Sequence, residues 1–173
     1  MNLLNPYVII RDHLNTLGEG RNLLLRIWII FVFYGTPIAF GVAAYYIAFE
    51  VKAGELGTLI TVFSVFAALL FSAQISAFTI SLGQGHTNED PTLAKVQKAK
   101  TASFLAFLEQ LNANISYLIL VACVGLLLFF FLSVSDQTDL MTGCVCVALV
   151  THFFGTLLMV LKRTHVAFKL AYR

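Results

Sequence analysis

Four long apolar runs divide this sequence, and none of them contains an aspartate, glutamate, lysine or arginine. They cover residues 27–49, 57–82, 115–134 and 141–161. A helix needs about 20 apolar residues to cross the hydrocarbon core of a bilayer, so each run is long enough to do so. Because the runs are continuous rather than alternating, the pattern predicts membrane-spanning helices and excludes a β-barrel.

The composition excludes the common soluble classes. Hydrophobic residues make up 59% of the chain and charged residues 12%, whereas a typical globular protein has roughly 25% charged residues. A soluble monomer could not cover its surface with so few charges, and 16 phenylalanines exclude a disordered chain. We therefore predict an all-α integral membrane protein with four transmembrane helices.

Little of the 173-residue chain is left for a separate catalytic domain once these runs are set aside. The sequence contains no nucleophile elbow, no zinc-protease His-Glu-x-x-His and no glycine-rich phosphate loop. We expect no enzyme activity, no catalytic residue, no metal and no cofactor.

The distribution of basic residues predicts the orientation. Segments 1–26, 83–114 and 162–173 hold all but one of the 11 lysines and arginines, and the two remaining loops hold Lys52 alone. Basic residues remain on the cytoplasmic side of a membrane. Both termini are therefore expected in the cytoplasm.

These runs and charges divide the chain into five parts. We predict an amphipathic, cytoplasmic or interfacial helix in 1–26, a transmembrane hairpin in 27–82, a cytoplasmic loop and basic helix in 83–114, a second hairpin in 115–161 and a basic helical tail in 162–173. The first helix begins at an Asn5-Pro6 cap, and its expected apolar face consists of Leu3, Tyr7, Ile10, Leu14 and Leu17. That helix could lie flat in the headgroup layer or pack on neighbouring subunits.

A second cap-and-proline pair, Asp90-Pro91, precedes a stretch with no helix breaker before Gly125. The third span is therefore predicted to begin outside the membrane, as one helix over residues 91–134. At 1.5 Å per residue that helix is roughly 65 Å long, about twice the thickness of the hydrocarbon core.

The cytoplasmic segments have two interpretations. Their positive charge could serve only to keep these segments on the cytoplasmic side of the membrane. Alternatively, several copies around an axis would form a ring of basic side chains that binds phosphates. The candidate ligand-binding residues are Arg11, Arg21, Lys95, Lys98 and Lys100.

Polar residues within the spans provide candidates for a pore. The second span has a stripe of small residues, suited either to close helix contact or to a pore wall: Thr61, Ser64, Ala68, Ser72, Ser76 and Thr79. In the fourth span, His152 is either a buried ring bonded to Thr156 or to a third-span carbonyl, or a gate residue. The pore or gate candidates are His152, Thr156, Ser64 and Ser72.

Four short spans cannot surround a conduit alone, so a channel requires several copies. The size, topology, amphipathic first helix and basic cytoplasmic layer together resemble the small four-span membrane effectors of bacterial nucleotide-signalling anti-phage defence, the Hailong type. The resemblance carries no family residue over to a numbered position of this chain. It implies a homotetrameric channel in the bacterial inner membrane, held shut by an oligodeoxynucleotide and paired in function with a nucleotidyltransferase.

Two other functions remain open at this point. The chain could be a non-conducting accessory or scaffold subunit whose spans pack on an unrelated partner. It could also be a holin-like lysis protein, although such proteins usually have a strongly charged, flexible tail.

Overall fold

The computed structural model describes residues 5–18, 22–82, 91–135 and 139–171, with the backbone alone for residues 18, 82, 91–100 and 166–171. Within these ranges the chain forms five α-helices and no strand. They are α1 (Tyr7–Gly18), α2 (Leu23–Tyr46), α3 (Ala53–Leu82), α4 (Pro91–Val134) and α5 (Leu140–Ala171). The predicted all-helical class is confirmed.

Four of the five helices are long and apolar enough to cross a membrane. The candidate spans are Leu23–Tyr46, Ala53–Ser81, Thr101–Val134 and Leu140–His165. Each corresponds to one of the four apolar runs, so the structure agrees with a multi-pass membrane protein.

The helix boundaries have local causes. At the start of α1, the Tyr7 amide donates to the Asn5 side chain at 3.0 Å, which is the predicted cap. The Glu55 carboxylate accepts from the Lys52 amide at 3.0 Å and thereby starts α3. Asp139 caps α5 through the amide and the hydroxyl of Thr142, and these hydrogen bonds hold the pKa of Asp139 below its usual value.

The first span differs from its predicted limits at both ends. α2 begins at Leu23 rather than at residue 27 and ends at Tyr46 rather than at residue 49. It begins early because Leu23, Leu24 and Leu25 favour a helix. It ends early because the chain turns after Tyr46, where Ala48 adopts a φ of 51°. Pro37 is accommodated within the helix and is buried.

The long helix predicted from the Asp90-Pro91 pair is present with the expected limits. α4 extends without a break over 44 residues from Pro91 to Val134, which corresponds to about 66 Å. The Asp90 cap itself lies outside the described residues.

The four spans pack in a row rather than in a closed bundle. α2 packs on α5, α5 on α4, and α4 on α3, whereas α2 and α3 make no close backbone approach within the described residues. The shorter helix α1 packs on α4 and α2. It therefore fills the space between α4 and α2, near the N-terminal end of α2 and the C-terminal part of α5.

Aromatic rings form the centre of the core. Phe63, Phe129 and Phe153, from α3, α4 and α5, are fully buried. The Phe63 ring centroid lies 5.1 Å from that of Phe129 and 4.6 Å from that of Phe153. Gly125 leaves room for Phe63, because a Cβ there would lie 2.9 Å from the ring. Burial of three large rings gives this part of the row a strong apolar contact.

Candidate functional site: a buried polar cluster beneath the first helix

The first helix is held to the spans by a buried histidine. His13 is fully buried, and its ring stacks on Tyr117 of α4 with centroids 3.9 Å apart and planes 3° from parallel. Its Nδ1 lies 2.8 Å from Oδ1 of Asn114, also fully buried and on α4. These contacts place a polar side chain of α1 inside the helical assembly.

The hydrogen bonds of Asn114 determine which nitrogen of His13 carries a proton. The Asn114 amide nitrogen donates to the carbonyl of Gln110 at 2.7 Å, so the Asn114 oxygen is the acceptor that faces His13. The hydroxyl of Thr16 also lies within 2.9 Å of this oxygen. His13 Nδ1 therefore donates, and its Nε2 is buried without a hydrogen-bond partner.

The surroundings of His13 favour its neutral form. Burial lowers the pKa of His13 from 6.5 to about 4, and the Asn114 hydrogen bond offsets part of this effect. His152 and Arg163 also lower the pKa of His13, because each would repel a positive charge on its ring.

Tyr117 connects this cluster to the middle of the spans. Its hydroxyl lies 2.8 Å from Nε2 of His152 on α5 and 3.2 Å from the hydroxyl of Tyr34 on α2. The Tyr34 and His152 rings also stack, with centroids 5.1 Å apart. One tyrosine thus joins polar side chains from three spans.

Two arginines tie the ends of the spans to α1. The Arg163 guanidinium of α5 donates to the main-chain carbonyl of Thr16 at 2.5 Å. The Arg26 guanidinium of α2 donates to the side-chain oxygen of Asn15 at 3.1 Å. Since the Thr16 carbonyl lies in the last turn of α1, Arg163 also satisfies an acceptor that the helix itself leaves free.

An open polar pocket of about 750 Å³ lies between α1 and α4. The charged residues that line it are Asp12, Glu109 and Arg26. Two carboxylates against one guanidinium do not favour an anion, so this pocket lacks the chemistry of the phosphate site predicted from the sequence.

The structure does not bring the predicted ligand-binding residues into one described site. Arg11 is exposed on α1 and pairs with the neighbouring Asp12 at 3.4 Å. Arg21 lies outside the described residues. Lys95, Lys98 and Lys100 lie in the first turns of α4, where the backbone alone is described.

The four predicted pore residues lie on two different surfaces of one copy. His152 is half-buried against Tyr117, and the buried Thr156 donates to the His152 carbonyl at 2.8 Å. Neither expected partner bonds the His152 ring, since its bond goes to a tyrosine hydroxyl. Ser64 and Ser72 are exposed on α3, and Ser64 donates to the Ile60 carbonyl of its own helix at 2.8 Å.

The sequence analysis missed most of the buried polar cluster. It assigned Tyr7 to the apolar face of the first helix, yet Tyr7 is 63% exposed. His13 lies three residues after Ile10 and four before Leu17, so helical spacing alone would have placed it on that face. The role of Tyr117 had no comparable signal, because a tyrosine in an apolar run is usually a packing residue.

Within the described ranges, no three histidine, cysteine, aspartate or glutamate side chains are grouped so that they could hold a metal ion. No protein-family model, no curated protein and no solved structure matches this chain.

Proposed function

We propose that this protein is a homo-oligomeric membrane channel, or pore-forming effector, controlled by an anionic ligand on its cytoplasmic side. The observation that carries the proposal is the outward face of α3. This hydroxyl face consists of six small residues that are all exposed: Thr61, Ser64, Ala68, Ser72, Ser76 and Thr79.

This hydroxyl face lies opposite the part of α3 that packs on the rest of the protein. The buried positions Leu56, Phe63, Leu70 and Ala77 recur every seven residues, or two turns. From Thr61 to Thr79 the small residues advance 18 residues in five steps, roughly 3.6 residues per step, and so form one straight stripe. A stripe that points away from the other described helices of its subunit supports a contact or a water-facing surface outside that subunit.

The hydroxyls themselves favour water or another protein over lipid. Ser64, Ser76 and Thr79 donate to main-chain carbonyls one turn earlier, at 2.8 to 3.0 Å, so their protons are satisfied within the helix. Their oxygens keep free lone pairs on the outer face. Lipid tails offer these oxygens no donor, whereas water in a pore does.

A single copy has no conduit of its own, because its four spans form a row. α3 lies at one end of this row, where several copies around an axis would turn their hydroxyl stripes toward each other. We favour four copies, the number that the resemblance to Hailong-type effectors implies.

The anionic ligand is assigned to the basic residues at the α1 end of the protein. Arg11, Arg26 and Lys162 are described there, and Lys52 lies at the opposite end of the spans. Since the described pocket is lined by acids, we place the ligand on Lys95, Lys98 and Lys100 together with Arg11 and Arg21, between subunits. An oligodeoxynucleotide has the repeated phosphates that such a ring of cations would bind.

A gating route follows from the connections of α4. A ligand that bridges subunits would favour the arrangement of α4 to which it binds more tightly. α4 is continuous from the basic segment to the far end of its span, and through Tyr117 it contacts His152. His152 and Thr156 are therefore proposed as gate residues within the subunit, and Ser64 and Ser72 as residues that line the conduit.

The proposed setting is the bacterial inner membrane, with both termini in the cytoplasm and a role in anti-phage defence beside a nucleotidyltransferase. Reporter fusions test the orientation. A reporter active only in the cytoplasm should be active at either terminus and inactive when inserted after Lys52.

The mass of the chain purified alone in detergent tests the assembly. We expect one closed homo-oligomer, about 76 kDa of protein for four subunits of 19.1 kDa, that conducts ions in a planar bilayer. A uniform monomer, or a second polypeptide that always accompanies the chain, would instead support the scaffold function.

A further inference from the structure

The buried contact between α1 and the spans contains a titratable side chain of α1, His13. His13 is fully buried between α1 and the spans, stacked on Tyr117 and bonded to Asn114 through Nδ1. Its Nε2 has no hydrogen-bond partner, so a proton added there would meet no acceptor. The resulting imidazolium would be buried with its new charge unpaired.

The groups that surround His13 do not compensate such a charge. On α5 it faces His152 and Arg163, both of which oppose a positive charge. Tyr117 of α4 offers its ring face, which attracts a cation more weakly than a carboxylate would, and Tyr34 of α2 is bonded to Tyr117.

The acids on the neighbouring helices do not neutralise this charge either. Asp12 of α1 and Glu109 of α4 line the open pocket, and neither is a hydrogen-bond partner of His13. Two arginines near α1 have other partners, since Arg11 pairs with Asp12 and Arg26 bonds Asn15.

We propose that α1 is an acid-released element, which stays docked between α2 and α4 while His13 is neutral and leaves when His13 is protonated. The inference concerns the docking of α1 and holds whether or not the protein conducts ions. Release would expose Asn114 and Tyr117 and would remove the carbonyl that Arg163 binds.

The direction and range of the effect follow from proton linkage. Docked His13 has a pKa of about 4, below its ordinary value of 6.5, so the undocked state binds more protons. Docking is therefore fully favoured above pH 6.5 and weakens as the pH falls toward 4. The gap between these two pKa values limits the change in the docking equilibrium to roughly two or three powers of ten.

A distance measurement by electron spin resonance tests the proposal. Spin labels replace the exposed Val8 on α1 and Leu161 on α5, in a background with Cys123, Cys144 and Cys146 changed to alanine. The labelled chain is reconstituted in lipid with excess unlabelled protein, so that distances within one copy dominate. We expect one short distance at pH 7.5 and a second, longer population at pH 4.5.

Matched variants assign the response to His13. His13→Asn retains a donor near the Nδ1 position without a titratable ring and should keep the short distance at both pH values. His165→Gln, which removes an exposed histidine of α5, should respond as the unsubstituted chain does. If His13→Asn is already undocked at pH 7.5, His13→Phe keeps the ring stacking and its response decides. An unchanged distance between pH 7.5 and 4.5, or a full response in the variant that lacks His13, would overturn the proposal.

Discussion

At the scale of single residues, Asn114 is the side chain on which the buried cluster depends. Its oxygen accepts from His13 and Thr16, and its nitrogen donates to the Gln110 carbonyl. Asn114 thereby connects two side chains of α1 to α4. Loss of Asn114 would leave the buried Nδ1–H group of His13 without an acceptor, which is the expensive way to break a hydrogen bond.

We expect Asn114→Ala to lower the free energy of unfolding by about 1 to 3 kcal/mol. Thermal unfolding in detergent, followed by far-UV circular dichroism, measures the change as a lower midpoint. The matched control is Asn112→Ala on the same helix, because Asn112 is exposed. Equal midpoints for the two variants would show that the cluster does not stabilise the protein.

The sequence predicted the membrane spans but not the contacts of this cluster. The apolar runs predicted the spans because burial in lipid demands a composition that can be read directly. The partner of His152 could not be read in that way. Its bond to Tyr117 depends on how α4 and α5 face each other, and spacing within one helix contains no information on that contact.

At the scale of helices, two glycines of α5 provide a test of packing. A Cβ at Gly143 would collide with the main-chain oxygen of Phe49, within the loop that follows α2. A Cβ at Gly155 would meet nothing within 4 Å. Both glycines lie on α5, yet only Gly143 is in close contact within the subunit.

We therefore expect Gly143→Ala to destabilise the protein by about 1 to 3 kcal/mol, because main-chain atoms must move to admit the methyl group. Gly155→Ala should be neutral, or stabilising by up to about 1 kcal/mol through helix propensity. Chemical unfolding in mixed micelles compares the two variants. A stable Gly143→Ala protein would show that the chain after α2 lies farther from α5 than described.

The local sequence predicted the limits of α4 but not which helices pack together. Pro91 and the absence of breakers predicted the full extent of α4. The pairing of α2 with α5, rather than with α3, had no local signal. It results from side-chain fit between segments distant in sequence, such as Gly41 against the Cys144 carbonyl, which a Cβ would approach to 3.0 Å.

At the scale of the whole molecule, the proposed ligand site makes a prediction about salt. Replacing Lys95, Lys98 and Lys100 with alanine should weaken binding of a single-stranded oligodeoxynucleotide. It should also reduce the slope of log affinity against log salt concentration by about 2, since each lost phosphate contact removes roughly 0.7 for single strands. Filter binding over a salt series measures both quantities.

The control for that experiment is Lys52→Ala, which removes a positive charge at the opposite end of the spans. Its affinity and salt slope should equal those of the unsubstituted chain. If the triple variant keeps its full affinity, the three lysines are not ligand contacts, and their charge is explained by topology alone.

If the hydroxyl face of α3 lines a water-filled conduit between copies, as proposed, a reagent in that water must reach it, and thiol blocking during conductance recording measures this access. In a cysteine-free background, Ser72→Cys should give channels that a charged, membrane-impermeant thiosulfonate reagent blocks. Ile38→Cys, on the exposed face of α2, should be unaffected. Equal insensitivity of the two variants, with conductance intact, would contradict the account.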